Sequence, residues 1–154
     1  MLAEIESDVR SAVEIDVPKI GRTPRAAVLV AGLIENYYTC AETVFVRISR
    51  FFENNLSPER WHKELLDRMT LAIEGIRPRV LGDESTRDLV ELLRFRHFRR
   101  YYFGSAYDWD RIDELITRIH RTHPRLVREL EAFVAFIAEL PEIDTTGAGI
   151  VDEE

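Results

Sequence analysis

Apolar residues recur at helical spacing along most of the chain, and this pattern predicts an all-α fold. A long helix begins at Thr23, a typical N-cap residue followed by Pro24 at the first helical position, and ends at Asn54-Asn55. Its apolar positions are Leu29, Leu33, Tyr37, Ala41, Val44, Phe45, Ile48 and Phe52. A shorter acidic helix from about Leu2 to Val13 is expected to pack at one end of the bundle.

The next apolar pattern predicts a helix that begins at Ser57-Pro58 and ends at Gly75 and the Arg77-Pro78 step. Proline disfavours helical backbone at the residue before it. Its expected buried face carries Trp61, Leu65, Leu66, Met69 and Ile73. The next helix is predicted to start at Ser85, where Asp88 three residues later resembles a capping box.

The last helix is predicted to begin at Asp108, a good N-cap, after the Gly104-Ser105 break. Pro124 should break or kink it before the apolar pattern resumes. Since the connections are short and no strand-like alternation occurs, we expect a four- to five-helix antiparallel bundle. Residues 1–142 would form this domain, and residues 143–154 a flexible acidic tail.

Composition narrows the class of protein. The 154 residues suit one domain, and a hydrophobic content of 45% with 32% charged residues is typical of a globular protein. The longest strong apolar run, Val28 to Ile34, is too short to cross a bilayer, and the N-terminus lacks the pattern of a signal peptide. The expectation is a cytoplasmic protein without a membrane partner.

No cofactor or metal site is predicted. Cys40 is alone and flanked by apolar residues, so it is interpreted as a small buried hydrophobe. His120 and His123 are three residues apart on a helix, but no cysteine or carboxylate completes a metal set, and a surface pair is the better interpretation. His62, beside Trp61, is interpreted as a packing or capping residue.

An arginine-rich segment is the main candidate for chemistry, although the net charge of the chain is −7. Its basic residues are Arg94, Arg96, Arg99 and Arg100, together with His97. A helical wheel places Phe95, Phe98 and Tyr102 toward the core, and Arg96, His97 and Arg100 on an exposed surface. Such a surface suits a phosphate, because arginine donates a fixed fork of hydrogen bonds and histidine can move a proton. The alternative is a solubilising helix face.

The segment Leu92–Trp109, LLRFRHFRRYYFGSAYDW, with the following Asp110-Arg111, resembles the HepT-like branch of the HEPN superfamily. The similarity includes Trp61–Leu66, the Ile76–Pro78 turn, and the long helix with Glu42 and Phe45, and it covers about Ala26 to Phe136.

The resemblance implies a homodimeric helical bundle in which two copies of an Arg-x4-6-His motif meet in a cleft. It implies metal-independent cleavage of RNA, with histidine as general base or acid and arginine stabilising charge on the phosphate. It also implies the toxin of a toxin–antitoxin pair, silenced by a cognate nucleotidyltransferase-type antitoxin that binds it or adds AMP to a tyrosine.

Two motif positions differ from that family. Arg96 matches the motif arginine, but the histidine position holds Tyr101, and the tyrosine position holds Phe103. His97 or Tyr101 would then transfer protons. Tyr102 or Tyr107 would be the residues open to modification, and Arg94, Arg99 and Arg100 would bind RNA phosphates.

Further interpretations stay open. Glu42 would orient Arg96 or a proton-carrying side chain, or make only an intrahelical contact. A second basic stripe on the last helix would extend an RNA cleft, or be exposed charge; it contains Arg118, His120, Arg121, His123, Arg125 and Arg128. The rival function is a catalytically inactive HEPN module that binds RNA, a nucleotide or a partner nucleotidyltransferase. A purely structural bundle would require Arg94, Arg96 and Arg100 to pair with acids across the dimer.

Overall fold

Helices account for nearly all regular structure in the protein. The computed structural model describes residues 1–53, 61–102 and 104–140. The helices are α1 (Leu2–Ser11), a π-helical turn (Ala12–Asp16), α2 (Val17–Ile20), α3 (Pro24–Phe52), α4 (Trp61–Met69), α5 (Asp83–Tyr101) and α6 (Trp109–Ala138). These described ranges contain no β-strand, so the predicted all-α bundle is confirmed. None of their helices combines the length and apolarity that crossing a bilayer requires.

The core is built around α3, which packs against α1, α4, α5 and α6. One face of α3 is buried along nearly its whole length because its apolar residues repeat at helical spacing. The largest fully buried side chains come from α3, α4, α5, α6 and the segment before α5: Tyr37, Tyr38, Phe45, Ile34, Leu65, Leu66, Met69, Leu81, Leu89, Leu92, Ile112 and Leu115.

Cross-helix contacts give the directions of the three long helices. Along α3 and α5 the contacts Glu35–Arg99 and Glu42–Arg96 run in opposite order, so these helices are antiparallel. Along α5 and α6 the contacts Asp88–Arg118 and Glu91–Arg111 also run in opposite order. Helix α5 therefore lies antiparallel to both of its long neighbours, and its two ends meet different parts of the bundle.

Two predicted N-caps are confirmed. The Thr23 hydroxyl accepts a hydrogen bond from the Ala26 backbone N–H at 3.1 Å and begins α3. The Asp108 carboxylate accepts one from the Asp110 N–H at 3.0 Å and begins α6. Each side chain satisfies a backbone donor that has no partner inside the helix, and this fixes the residue at which the helix starts.

Removing the Thr23 cap should measurably weaken the fold. We expect Thr23→Ala to lower the free energy of unfolding by about 1 kcal/mol, because the Ala26 N–H loses its acceptor. Urea unfolding followed by circular dichroism measures this loss. Thr23→Ser keeps the hydroxyl and should stay close to the unchanged protein; an equal loss in both variants would contradict the capping explanation.

Two predicted helix limits are wrong. Helix α4 ends at Met69 and does not reach Gly75, which instead forms a turn with φ of 72°. Helix α5 begins at Asp83 with Gly82 as N-cap, so Ser85 and Asp88 do not form a capping box. Both side chains are buried inside the helix, where Asp88 binds residues of α6.

Pro124 does not break α6, a helix of 30 residues in which it lies near the middle. Proline removes one backbone donor from the helix. Packing compensates for that loss, because Thr122 and Leu126 on either side of it are both buried in the bundle.

Arg77 holds the connection between α4 and α5 against the end of α3. Its side chain is fully buried and binds the Glu53 carboxylate through Nε at 3.0 Å and through Nη2. It also donates to the backbone carbonyls of Arg68, Leu71 and Pro78. These bonds explain why α4 stops early, since the chain after Met69 wraps around a buried guanidinium.

The predicted start of α4 at Ser57-Pro58 and the predicted tail 143–154 lie outside the described residues. The domain limits 1–142 therefore stay a prediction.

Candidate active site

Helix α5 divides its basic residues between two environments. Arg96 and Arg99 turn toward α3, where Arg99 pairs with Glu35 and Arg96 with Glu42. Arg94, His97 and Arg100 are exposed. The prediction that Arg96 shares one exposed surface with His97 and Arg100 is therefore wrong. It treated the helix as having one apolar stripe, whereas α3 supplies a buried acid, Glu42, and a partly exposed one, Glu35, and each pairs with an arginine of α5.

Glu42 lies at the centre of a small cluster of charged side chains. Its side chain is only 5% exposed. One carboxylate oxygen, Oε1, lies 2.7 Å from His62 Nδ1, and the other, Oε2, lies 3.4 Å from Arg96 Nη2. We call Glu42, His62 and Arg96 the carboxylate cluster. It brings together side chains from α3, α4 and α5.

The helical repeat of α3 explains the position of Glu42. Tyr38, Ala41 and Phe45 are fully buried at neighbouring positions on the same face. A carboxylate on this face needs compensating partners, because burying an unpaired charge costs several kcal/mol. His62 and Arg96 supply them.

Tyr38 closes the cluster on its inner side. The Arg96 guanidinium carbon lies 5.9 Å from the centre of the Tyr38 ring, within range of a cation–π contact. Burial raises the pKa of the Tyr38 hydroxyl, and the negative charge of Glu42 raises it further. Tyr38 is therefore a neutral wall of the cluster and not a proton donor or acceptor at physiological pH.

The contact between Glu42 and His62 determines which nitrogen of the neutral histidine ring carries the hydrogen. An ionised carboxylate can only accept a hydrogen bond, so His62 Nδ1 carries the hydrogen. In neutral imidazole the other nitrogen, Nε2, is then the basic one. The side chain is 25% exposed, and that of Arg96 is 19% exposed. The cluster thus combines an oriented imidazole with a guanidinium at the edge of the bundle.

A comparison with family models identifies the protein family of the chain. Residues 29–137, more than half of the 154 residues, match the model described as HepT-like protein. The chain belongs to the HepT-like family. No curated protein and no solved structure matches it significantly. The matched range includes Glu42, His62 and Arg96, and confirms the resemblance inferred from the arginine-rich helix.

In this HepT-like domain Glu42 connects Arg96 to His62, a residue whose sequence context had suggested a packing or capping role. His97 is exposed and lies against Tyr101, with ring centres 5.4 Å apart. Tyr101 is 65% exposed, so the residue at the motif histidine position faces solvent. The only sequence signal for His62 was its place in the Trp61–Leu66 segment that carried part of the resemblance.

The remaining arginines and tyrosines of the predicted site lie around the end of α5. Arg94 pairs with Glu91 of its own helix, so its counter-charge comes from the same chain and not from a second copy. The Tyr102 hydroxyl donates to the Ala106 carbonyl at 3.1 Å, and Tyr107 is partly buried against Tyr102 and Phe95. Phe95 is buried as predicted, but Phe98 is 51% exposed and does not enter the core. Phe103 lies outside the described residues.

The other histidines of the HepT-like domain have internal partners. His120 Nδ1 lies 2.7 Å from Glu6, and His123 Nδ1 lies 3.2 Å from the Tyr37 hydroxyl. Burial lowers the pKa of His123 and so favours its neutral ring, whose Nδ1 shares a hydrogen bond with the Tyr37 hydroxyl. Within the described residues no group of His, Cys, Asp and Glu side chains is arranged to hold a metal ion.

The second basic stripe is largely neutralised by acids. Arg118 and Arg121 both donate to Asp88, and Arg125 lies 3.2 Å from Glu84. Burial of Asp88 opposes its ionisation, but hydrogen bonds from Arg121 and Thr122 outweigh this and hold its pKa below the usual range. The stripe is therefore partly a structural ion network.

Cys40, predicted to be buried, is partly exposed, and burial raises the pKa of its thiol, which disfavours the reactive thiolate.

Proposed function

We propose that this HepT-like protein is the toxin of a type II toxin–antitoxin module and cleaves RNA without a metal ion. The observation that carries the proposal is that one buried carboxylate holds both a histidine and the motif arginine. Membership of the HepT-like family supports the RNA substrate, and further supports a cytoplasmic homodimer silenced by a cognate nucleotidyltransferase-type antitoxin.

His62 takes the role that the motif histidine would otherwise have. Its Nε2 removes the proton from a ribose 2′-hydroxyl, and the 2′-oxygen attacks phosphorus. The bond from phosphorus to the 5′-oxygen breaks, and the His62 imidazolium returns the proton to that oxygen. The products are a 2′,3′-cyclic phosphate and a 5′-hydroxyl end.

Arg96 stabilises the phosphate during this reaction. Negative charge grows on the oxygens of phosphorus as the 2′-oxygen adds, and a preorganised guanidinium is an effective partner for it. Glu42 keeps one side of the guanidinium occupied and leaves its other N–H groups for the substrate, since arginine has five donors. Exposed Arg94 and Arg100 would hold neighbouring phosphates of the RNA chain.

A second candidate function is a catalytically inactive module that binds RNA, a nucleotide or a partner nucleotidyltransferase. The observation in its favour is that Arg96 is 19% exposed and already paired, while Tyr101 occupies the motif histidine position. In that case the carboxylate cluster only stabilises the bundle, and the exposed residues of α5 carry the binding.

Cleavage in the presence of a chelator tests the proposal. Purified protein should cut labelled transfer RNA and a messenger fragment in EDTA and leave cyclic-phosphate ends. Arg96→Ala should lower kcat by about 10²- to 10³-fold, because it removes a donor to the growing charge. Arg25→Ala, which changes an exposed arginine in the first turn of α3, is the matched control and should leave cleavage unchanged.

Intact RNA after incubation with folded protein would contradict the nuclease. If the same RNA were nevertheless bound, the inactive module would replace it. Equal cleavage by Arg96→Ala and the unchanged protein would remove Arg96 from the reaction.

A further inference from the structure

A groove lies beside the C-terminal part of α5, on the side away from α3. It is formed by α5, the connection to α6 and the first turn of α6, and encloses about 530 Å³. Its lining residues are Arg94, Phe95, Phe98, Tyr102, Ala106, Tyr107, Asp108 and Arg111. This volume falls in the range of sites for small organic ligands. None of its lining residues belongs to the carboxylate cluster.

One wall of the groove is aromatic and held in place. Phe98 and Tyr102 stack with ring centres 4.8 Å apart and planes 24° apart, and Tyr107 meets Tyr102 edge to face at 5.2 Å. A Cβ at Gly104 would lie 2.8 Å from Tyr102 Cζ, so a larger residue there would require the Tyr102 ring to shift. The wall is therefore formed before any ligand arrives, while half of the Phe98 side chain remains in water.

The rim of the groove carries two guanidinium groups. Arg94 and Arg111 both bind the Glu91 carboxylate, which keeps them side by side. The Arg94 side chain is 70% exposed, so most of its N–H donors face solvent. Asp108 is also exposed at the rim, and its Oδ1 accepts from the Asp110 N–H.

We propose that this groove binds an unpaired base of single-stranded RNA, with the base on Phe98 and its phosphate on the exposed guanidinium of Arg94. Aromatic side chains and guanidinium groups are the chemistry with which proteins hold unstacked bases and their phosphates. The Asp108 carboxylate accepts from an amino group on the edge of the base. The inference rests on the proposed function for its RNA substrate, and it adds a preference for unpaired RNA.

Binding and cleavage are separated by using a short oligoadenylate with 2′-O-methyl groups, which lacks the attacking hydroxyl. Its affinity for the full chain is measured by fluorescence anisotropy. Phe98→Ala should weaken binding about tenfold, because it removes a stacking platform. Phe98→Trp should retain binding, and Phe51→Ala, an exposed aromatic of α3 outside the groove, should match the unchanged protein.

Several results would overturn the groove proposal: no binding of the single strand, equal affinity for a duplex, or unchanged affinity in Phe98→Ala. If Phe98→Ala instead converted a dimer to a monomer in light scattering without altering RNA affinity, the groove would be a contact between copies of the chain. If ordinary RNA were cleaved normally and Phe98→Ala left affinity unchanged, only the groove proposal would be overturned. If binding depended on Phe98 but ordinary RNA were not cleaved, only the nuclease proposal would be overturned.

Discussion

Replacing His62 with glutamine is expected to lower kcat for RNA cleavage by about 10²- to 10⁴-fold, the range of a lost general base. Glutamine can still donate to the Glu42 carboxylate, so the cluster keeps its hydrogen bond while the basic ring nitrogen is lost. Single-turnover cleavage of labelled RNA by His62→Gln and by the unchanged protein measures this loss.

His97→Ala and Tyr101→Phe test the two residues predicted from the motif alone. Both side chains are exposed on α5 and lie against each other, so their loss should change kcat far less than the loss of His62. Cleavage that survives in His62→Gln but fails in His97→Ala would move the proton transfer to the exposed side of the helix.

Glu42 acts through its neighbours as a positioning residue. Glu42→Gln should lower kcat about 10- to 100-fold, as loss of a partner that orients a functional histidine does. Glu42→Asp should restore part of the rate. A melting curve for each variant separates this effect from unfolding, since Glu42 is nearly buried.

The largest effect on stability is expected from Asp88→Asn, which should lower the free energy of unfolding by about 3–5 kcal/mol. The carboxylate accepts hydrogen bonds from Arg118, Arg121 and Thr122, and the amide would leave both arginines without their shared counter-charge. Asp113→Asn is the matched control: its carboxylate is 41% exposed and pairs with the exposed Arg22, so we expect a loss of about 0.2–1 kcal/mol. Urea unfolding at pH 7 measures both.

The same carboxylate predicts how stability depends on pH. The pKa of Asp88 in the folded protein is lowered, so the unfolded chain binds its proton more readily. Its contribution is therefore complete above the usual aspartate pKa of about 3.9 and is lost as pH falls through the folded value. The stability difference between the unchanged protein and Asp88→Asn should shrink on acidification. A constant difference between neutral pH and acid would contradict the ionic explanation.

Local rules were sufficient to predict the starts of α3 and α6. Thr23 and Asp108 were recognisable as N-caps, because a cap depends on residues close together in the chain. Ser85 and Asp88 also offer a local capping signal, but both are buried inside α5, and Asp88 accepts a hydrogen bond from Thr122 of α6, 34 positions away. Pro124 likewise follows the packing of its neighbours and not the local rule. Such long-range contacts decide between alternatives that the local pattern leaves equal.

The candidate site was predictable only in part. Arg96 was found from the arginine-rich helix, and Glu42 was proposed to orient it or a proton carrier. His62 was missed because it lies 34 positions before Arg96 in the chain, and the two meet only through Glu42 of α3, whose oxygens contact both side chains. The helical wheel also failed to separate Arg96 from His97, since acids on α3 draw Arg96 inward and nothing in α5 itself records them.

The sharing of Glu42 has a consequence for how the site can change over time. Its two oxygens serve different helices, so the energies of the His62 and Arg96 contacts cannot add independently. Loss of either partner leaves a nearly buried charge half-compensated, and loss of both leaves it with no counter-charge from the cluster. A family member that has lost His62 and Arg96 must therefore replace Glu42 as well. These three positions should vary together across the family or not at all.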